Sequence, residues 1–257
     1  MVGIEVRELS VQFAPQPPVL DRLSLSVESG QFVALLGGSG SGKSTLLRSI
    51  ARLQPISGGE VEFTGECPMR RPGDLSYVFQ DATLLPWRTA EQNVRLPLEL
   101  SARLGEIKPD AAGAHSVGDA VADALRSVGL EEPSWRKFPR QLSGGMRMRV
   151  SLARSIVTDP AVLLLDEPFA ALDEILRART NDLLADLWMR KSRTVLFVTH
   201  NIAEAVNLSQ RMAILGRGGI ARWIENPLPM PRNAQVRSSP EFAQLYAQVS
   251  TALNEAT

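Results

Sequence analysis

The stretch "FVALLGGSGSGKSTLLRSI", Phe32 to Ile50, decides the fold of this chain. It begins with a continuous apolar run typical of a buried strand, passes through a glycine-rich turn and continues into a helix-favouring segment. The turn, "GGSGSGKST" at Gly37–Thr45, fits the pattern G-x-x-x-x-G-K-[ST]. Backbone N–H groups at such a helix start can surround a phosphate group. The stretch therefore predicts an α/β protein with a phosphate-binding loop.

Each residue type in this loop has a role in phosphate binding. The glycines allow backbone N–H groups to close around the β-phosphate, Lys43 is expected to reach the β- and γ-phosphates, and Ser44 is expected to place its hydroxyl on Mg²⁺. We therefore expect ATP and Mg²⁺ as ligands. The predicted nucleotide-binding residues here are Gly37, Gly38, Ser39, Gly40, Ser41, Gly42, Lys43, Ser44 and Thr45.

Two more buried runs end in polar residues that suit the same site. In "VLLLDEP", Asp166 follows four apolar residues and stands at the carboxyl end of a strand, where ligands of α/β sheets bind. Asp166 suits the Mg²⁺ shell, and Glu167 is placed to polarise a water for attack on the γ-phosphate. The alternative is an acidic pair that ends a strand and caps a helix. His200 ends "VLFVTH" and predicts a γ-phosphate contact, although a lone histidine is more often structural.

Composition limits the classes of function. Lys and Arg number 28 and Asp and Glu number 28, so the chain has no net charge, which speaks against general binding of nucleic acid. No apolar run approaches the roughly 18 residues that span a bilayer, and the N-terminal stretch lacks the apolar core of a signal peptide. We expect a cytoplasmic protein, and any membrane-spanning segment to come from another chain.

The remaining pattern predicts an α/β core interrupted by helices. Strand-like alternation dominates the first eighty residues, helix-like segments follow from about Trp87 to Pro160, and buried strand runs then return. The tail is predicted as a proline-rich extended stretch followed by an amphipathic helix from Pro240 to Leu253, which we interpret as packing on the core.

A second helix start, far from the first, carries the most specific motif. In "RQLSGGMRMRV", Arg140 to Val150, Ser143 occupies the position of a helix N-cap and Gly144 and Gly145 follow it. "LSGGM" resembles the LSGGQ signature of ABC-type ATPases, and it lies between the phosphate loop and "LLLDEP" as in that family. The resemblance covers nearly the whole chain, about residues 2–231.

The resemblance assigns further residues to the site. Gln80 in "VFQD" is similar to the glutamine that contributes to the Mg²⁺ site and to catalysis, Asp173 in "AALDE" to the aspartate of the D-loop, and His200 to the switch histidine. Phe13 matches the aromatic that stacks on adenine. Glu167, His200 and Gln80 are thus the expected catalytic residues, and Ser143, Gly144, Gly145 and Asp173 join the nucleotide-binding set.

The family implies a specific architecture. It consists of a P-loop NTPase (RecA-like) core with an antiparallel β subdomain and an inserted α-helical subdomain. Here we expect an ATPase domain at 1–232, a helical subdomain at about 88–160 and a tail at 233–257. Two copies of the subunit pack head to tail, so each ATP lies between the phosphate loop of one copy and the signature helix of the other.

Within the family, three segments look most like the import ATPases for nitrate, sulfonate, taurine and related solutes: "FQDATLLPW", "LSGGMRMRV" and "THNIAEAV". Those ATPases work on the inner face of the bacterial membrane beneath a permease. A periplasmic solute-binding protein delivers the solute to that permease. Leu84, Leu85 and Trp87 are candidates for a groove that receives a permease helix, with packing of the helical subdomain as the alternative. Met146, Met148 and Asn201 depart from the usual residues of the family or subgroup.

Three other functions fit parts of the pattern. An ABC-type ATPase of DNA maintenance would carry a long coiled coil between Gln80 and Leu142, and that interval is too short for one. A stand-alone phosphotransferase would make "LSGGM" accidental. An exporter or lipoprotein-release ATPase remains the main alternative to an importer, because recognition of the solute belongs to other polypeptides.

Overall fold

A computed structural model describes residues 2–65, 73–103, 116–191 and 193–256 of the 257-residue chain. Cys67, His115 and most of the long polar stretch 101–119 lie outside the described residues. The chain divides into two compact units, one comprising Met1–Pro68, Leu164–Glu167 and Leu184–Thr257, and the other Met69–Leu163 and Pro168–Leu183.

The first unit contains two sheets. The strands found in the described residues are β1 (Val2–Val11), β2 (Leu20–Val27), β3 (Phe32–Gly37), β4 (Gly58–Gly65), β5 (Leu75–Val78), β6 (Val162–Asp166), β7 (Thr194–Val198), β8 (Arg211–Leu215) and β9 (Ile220–Glu225). In the smaller sheet β1 pairs antiparallel with β2 on one side and with β4 on the other. Alternating burial along β2 shows why this segment forms a strand with one face on the core.

The larger sheet carries the phosphate loop. Within the first unit its order is β6-β7-β3-β8-β9, with β3 parallel to both β7 and β8, and β9 antiparallel to β8. Strands β6 and β7 are buried at every position, which explains their continuous apolar runs. The parallel arrangement brings the carboxyl ends of β3, β6 and β7 to the same edge of the sheet.

The helices of the chain follow the predicted order with one difference. The α-helices in the part of the chain that the structure describes are α1 (Lys43–Ile50), α2 (Ala90–Arg103), α3 (Val117–Ser127), α4 (Gly144–Ile156), α5 (Glu174–Lys191), α6 (Ile202–Leu208), α7 (Ala234–Arg237) and α8 (Pro240–Ala256). The tail helix α8 packs on α6 and on the larger sheet through Leu245, Val249 and Ala252, as predicted. The stretch before it is not wholly extended, because Asn233 accepts hydrogen bonds from the N–H groups of Gln235 and Val236 and begins α7.

The second unit is mainly helical. Helices α2, α3 and α4 pack on one another, and α4 also packs on β5, whose neighbour Asp74 accepts hydrogen bonds from the N–H groups of Ala161 and Val162 at the start of β6. Helix α3 begins with a reciprocal capping box between Ser116 and Asp119. The prediction of mainly helical structure in this region is therefore confirmed.

One buried side chain in the second unit organises the loop before α2. Asn93 has no exposed surface, and its Oδ1 atom accepts a 2.7 Å hydrogen bond from the N–H of Leu85. Its Nδ2 atom donates to the carbonyl oxygens of Leu85, Arg88 and Thr89 at 3.2, 3.0 and 2.9 Å. A single amide thus binds four backbone groups of the loop. The carbonyls of Leu85 and Thr89 also accept backbone N–H groups, so the amide matters most for the N–H of Leu85 and the carbonyl of Arg88.

The turn between β3 and α1 requires glycine at its last position. Gly42 has a φ of +97°, and a Cβ atom there would lie 2.6 Å from Leu20 Cδ2 and 3.2 Å from the carbonyl oxygen of Val19. Gly40 also has a positive φ, +79°, but a Cβ atom there would meet nothing within 4 Å. Steric exclusion adds to backbone strain at Gly42 and is absent at Gly40.

A search of the described residues finds no helix with the length and apolarity that a bilayer crossing requires. The element order and the combination of an antiparallel sheet, a largely parallel sheet and a helical region confirm the predicted α/β architecture.

The two loop glycines give a matched test of this packing. Gly42→Ala should lower the melting temperature of the nucleotide-free protein by roughly 5–10 °C, because strain and a clash with Leu20 and Val19 act together. Gly40→Ala should lower it by less than about 4 °C, since strain acts alone. Differential scanning calorimetry measures both, and equal shifts would contradict the steric argument.

Asn93→Ala should lower the free energy of unfolding by about 3 kcal/mol, because backbone groups of Leu85 and Arg88 lose their buried partner. Gln92→Ala is the control. The exposed Gln92 side chain accepts a hydrogen bond from the N–H of Thr89, and its loss should cost less than about 1 kcal/mol. Urea denaturation monitored by circular dichroism separates the two. A loss at position 93 no greater than at position 92 would show that the amide does not organise the loop.

Candidate functional site

Lys43 is the first residue of α1 and is nearly buried, 7% exposed. Its ammonium group donates hydrogen bonds of 2.9 Å to the carbonyl oxygens of Gly37 and Gly38, so the loop is closed on its own lysine. Burial lowers the pKa of Lys43, and the carboxylates of Glu167 and Asp166 partly oppose that shift. The cation is thus held at the mouth of the loop, beside the two acidic residues that follow from β6.

Ser44 and Asp166 meet across the edge of the sheet. The Ser44 hydroxyl donates a 2.7 Å hydrogen bond to Asp166 Oδ1, although 122 residues separate them in sequence. Asp166 is buried, 4% exposed, and its Oδ2 atom lies 4.0 Å from an Arg48 guanidinium nitrogen. A hydroxyl and a carboxylate at this distance are hard oxygen ligands of the kind Mg²⁺ prefers, with the remaining positions left to water and phosphate. The residues present therefore fit the predicted Mg²⁺ site.

Among the described residues no group of three or more histidine, cysteine or acidic side chains could form an all-protein metal cage. This finding agrees with the sparse donor set at Ser44 and Asp166. Mg²⁺ at nucleotide sites is commonly held by one or two protein oxygens together with phosphate oxygens.

Glu167 and His200 also meet at this edge. Glu167 follows β6 with a φ of +46°, and its N–H donates a 3.0 Å hydrogen bond to the carbonyl of Val198 in β7. The Oε2 atom of Glu167 lies 3.3 Å from Nδ1 of His200. Both side chains have solvent access, with 22% of Glu167 and 59% of His200 exposed. A carboxylate and an imidazole in contact at the mouth of a phosphate loop can orient water and a phosphate oxygen.

A cavity of about 510 Å³ in the first unit is lined in part by the loop itself. Its walls are Gln16–Val19, Gly38–Ser41, Leu215–Gly218 and Ala256. Phe13 is 42% exposed and its carbonyl accepts a hydrogen bond from the N–H of Gln16, so it stands in the turn that leads to the cavity without being part of the wall. The size and mixed polarity of the cavity suit a nucleoside.

The signature segment lies in the second unit and begins α4 as predicted. Ser143 is the N-cap, and its hydroxyl oxygen accepts a 3.2 Å hydrogen bond from the N–H of Met146. Gly144 and Gly145 form the first turn, and a Cβ atom at Gly145 would lie 3.1 Å from Leu176 Cδ1. The glycine therefore permits close packing between α4 and α5.

Asp173 lies close to the same residue, Leu176. Its Oδ1 atom accepts a 2.9 Å hydrogen bond from the N–H of Leu176 and so caps the start of α5. Arg177 donates to the carbonyl oxygens of Phe169 and Leu172 at 3.3 and 2.9 Å and fixes the turn before Asp173. Within the second unit, Asp173 and the start of α4 are thus both close to Leu176.

Gln80 is exposed and follows β5 in the second unit. The segment after it is tied to α4, because the Arg154 guanidinium donates to the carbonyls of Thr83 and Ala82 and to the Thr83 hydroxyl at 2.9, 3.0 and 3.0 Å. Burial lowers the pKa of Arg154. Trp87, further along this segment, is 70% exposed, which agrees with the predicted exposed apolar surface.

The structure thus brings together Lys43, Ser44, Asp166, Glu167 and His200 in the first unit, and Ser143, Gly145 and Asp173 near one another in the second. Sequence reasoning missed Arg154 and Asn93, which hold the segment after Gln80. Arginine in a helix and asparagine near a helix start carry no distinctive local signal, so only the contacts reveal them.

The comparisons with known proteins agree with this geometry. The sequence profile of the ABC transporter family matches residues 20–170. The chain is 44% identical over 253 residues to the aliphatic sulfonates import ATP-binding protein SsuB 2 of Rhizobium johnstonii, covering 98% of this chain and 91% of that protein. It is 37% identical to a protein of the same name, SsuB, from Bacillus thuringiensis, covering 96% and 94%.

Solved structures of ATP-binding cassettes have the same fold. The ATP-binding cassette MJ0796, in a dimeric post-hydrolysis state bound to ADP and Pi, is 30% identical and superposes with a TM-score of 0.72 over 86% of this chain and 98% of that one. A second dimeric structure of MJ0796 gives a TM-score of 0.71 at the same identity and coverage.

The phosphate loop, the paired acidic residues after β6 and the capped signature helix are therefore found in a chain that matches the family profile over more than half its length. This chain belongs to the ABC transporter family, as an ATP-hydrolysing nucleotide-binding subunit.

Proposed function

We propose that this chain energises the import of an aliphatic sulfonate, or a closely related small anion, through a separate membrane permease. The observation that carries the ATPase chemistry is the meeting of Lys43, Ser44, Asp166, Glu167 and His200 at one sheet edge. The import role and the solute class rest on relatives whose names give both, at 44% and 45% identity in two rhizobial proteins.

In the proposed reaction, the residues at the loop hold the phosphates and orient the water. Lys43 moves from the carbonyls of Gly37 and Gly38 to the β- and γ-phosphates, for which it has the stronger electrostatic attraction. Glu167 orients the attacking water, and His200 contacts the γ-phosphate. Backbone N–H groups at Gly38–Thr45 surround the phosphate chain.

Ser44, Asp166 and Gln80 are proposed to hold Mg²⁺, which supplies neutralisation of the charge on the β- and γ-phosphates. The 2.7 Å contact between Ser44 and Asp166 supports this assignment for two of the three residues. Gln80 lies in the other unit, and its exposed position after β5 leaves its amide accessible.

The nucleotide is proposed to lie between two copies of the chain. Ser143, Gly144 and Gly145 begin α4 with N–H groups directed along a helix start, which suits a γ-phosphate delivered by a second copy. Asp173, next to this helix, would then also face the partner copy. The dimeric cassettes that share this fold support the arrangement.

Phe13 is proposed to stack on the adenine at the entrance of the cavity formed by Gln16–Val19 and Gly38–Ser41. Its 42% exposure leaves a ring face available for stacking. In this proposal the adenine lies at the cavity and the triphosphate extends from it along the loop residues Gly38–Ser41, which form part of the cavity wall.

The permease is proposed to dock on the segment that follows Gln80. Trp87 is 70% exposed, and a large exposed aromatic next to half-buried Leu84 and Leu85 is typical of a binding surface. Docking would hold the chain on the inner face of the bacterial membrane, with a periplasmic solute-binding protein delivering the solute from the other side. The tail 233–257 would remain outside the ATPase domain proper, at 1–232.

The head-to-tail arrangement is tested by mixing two variants in a Glu167→Gln background. Glu167→Gln alone should keep ATP binding and form ATP-dependent dimers while turnover is nearly abolished. Adding Lys43→Ala removes the phosphate cation, and adding Ser143→Arg places a bulky side chain at the signature, so neither double variant should dimerise alone. Each lost contact costs roughly 1.5–3 kcal/mol. The mixture should dimerise with ATP in gel filtration, because one of its two sites then lacks both defects.

Absence of dimer in the mixture, with both variants folded by circular dichroism, would contradict the composite site. If each site were built within one copy, every site in the mixture would carry one defect. The Glu167→Gln parent at the same concentration is the positive control, and the mixture with ADP in place of ATP is the negative control.

The import role is tested by solute uptake in the organism that carries this gene. Deletion should abolish uptake of a radiolabelled alkanesulfonate and growth on it as sole sulfur source, and it should leave growth on sulfate unchanged. Wild type should restore uptake, and Glu167→Gln, expressed at the same level, should not. Restored uptake with Glu167→Gln would contradict coupling to hydrolysis. Loss of nitrate or taurine uptake instead would keep the importer and change the solute.

A further inference from the structure

The residues on both sides of His200 are joined in a closed ring of three hydrogen bonds. The N–H of Asn201 donates to Thr199 Oγ1 at 3.0 Å, and the Thr199 hydroxyl donates to Glu204 Oε2. The N–H of Glu204 in turn donates to Asn201 Oδ1 at 3.2 Å. His200 is therefore the middle residue of a backbone segment whose two neighbours are bound to the same helix start.

This ring is buried although the histidine is not. Thr199 is 2% and Glu204 5% exposed, whereas 59% of the His200 side chain is exposed. A carboxylate at this depth is costly unless it is hydrogen-bonded, and a bond from a hydroxyl to an ionised carboxylate is among the stronger ones. The buried hydrogen-bonded pair, Thr199 and Glu204, thus supports the backbone that carries the exposed imidazole of His200.

The segment that contains Thr199 is also hydrogen-bonded to the strand that carries the phosphate loop and to the residue that follows β6. The N–H of Thr199 donates to the carbonyl of Leu35 in β3 at 3.3 Å. The neighbouring Val198 accepts from the N–H of Glu167 at 3.0 Å. Because these bonds fix the backbone on which His200 and Glu167 sit, they determine the 3.3 Å approach of His200 Nδ1 to Glu167 Oε2.

Asn201 is the helix-capping member of the ring. An aspartate would accept the same bond from the Glu204 N–H, since both residues are good helix caps. The asparagine at position 201 therefore fulfils the capping role in this ring.

We propose that Thr199 and Glu204 are positioning residues of the ATPase reaction, which hold His200 with its Nδ1 atom facing Glu167. The inference deepens the proposed function and rests on the role assigned there to His200. Both side chains are almost wholly buried, so we expect each to act through the histidine.

The first test uses isosteric variants of Thr199. Thr199→Val keeps the shape and removes the hydroxyl, so kcat for ATP should fall about 10- to 100-fold as His200 loses its placement. KM should change less than about twofold, because the phosphate loop is untouched. Thr199→Ser keeps the hydroxyl and should restore kcat. Glu204→Gln, which keeps an acceptor and loses the charge, should give an intermediate kcat.

Ser209→Ala is the matched control. Ser209 is also fully buried and follows the other end of α6. Its hydroxyl donates to the carbonyl of Ala205. Its loss should lower the melting temperature as much as Thr199→Val does and leave kcat within about twofold. An equal fall of kcat in Ser209→Ala and Thr199→Val would overturn the proposal, because the effect would then be one of general stability.

A second readout observes the imidazole directly. The chain has only two histidines, so ¹H–¹⁵N spectra of the ring nitrogens are assigned by a His115→Asn variant. The His200 ring should give one set of signals in wild type and in Thr199→Ser, and shifted or multiple sets in Thr199→Val. Unchanged His200 signals in Thr199→Val would overturn the proposal even where kcat falls.

The two readouts separate this inference from the proposed function. Thr199→Val should lower kcat no further in a His200→Ala background, and an additional loss there would overturn action through the histidine. If His200→Ala itself hydrolyses ATP like wild type, the role of His200 in the reaction is wrong. The ring spectra then still decide whether Thr199 and Glu204 position it.

Discussion

The hydrogen bond from Ser44 to Asp166 is the interaction on which the rest of the site depends. It requires β3 and β6 to end at the same edge of one sheet, with β7 between them, although their sequences are far apart. Parallel strands end at the same edge of their sheet, and because β3, β6 and β7 are buried along almost their whole length, their sequences are mainly apolar. Lys43, Glu167 and His200 reach the site because they directly follow those strands or the loop.

A second constraint concerns the two helix starts. Helix α1 directs N–H groups into a loop with a left-handed glycine as its N-cap, and α4 directs them from a serine cap that already uses the N–H of Met146. Each start leaves further donors for an anion. Helix α1 lies in one compact unit and α4 in the other. The proposed dimer would let the two helix starts serve the same phosphate from different copies of the chain.

The sequence was sufficient where chemistry requires a fixed spacing. The bounds of β3 and the N-cap at Ser143 could be read in advance, because a phosphate loop must follow a strand and a signature must begin a helix. Helix α7 was not predicted, since its four residues begin at an asparagine cap inside a proline-rich stretch. The Thr199–Glu204 pair was also invisible, because its meaning lies in burial and in bonds that no local pattern encodes.

Arg154 has a mechanical consequence. Its forked guanidinium fastens the Ala82–Thr83 turn to α4 through several bonds at once, so the turn and the helix behave as one stiff piece. Gly144 begins the same helix ten residues earlier, a lever arm of about 15 Å at 1.5 Å per residue. A displacement of the Ala82–Thr83 turn would therefore be transmitted along α4 to its first residues, Gly144 and Gly145.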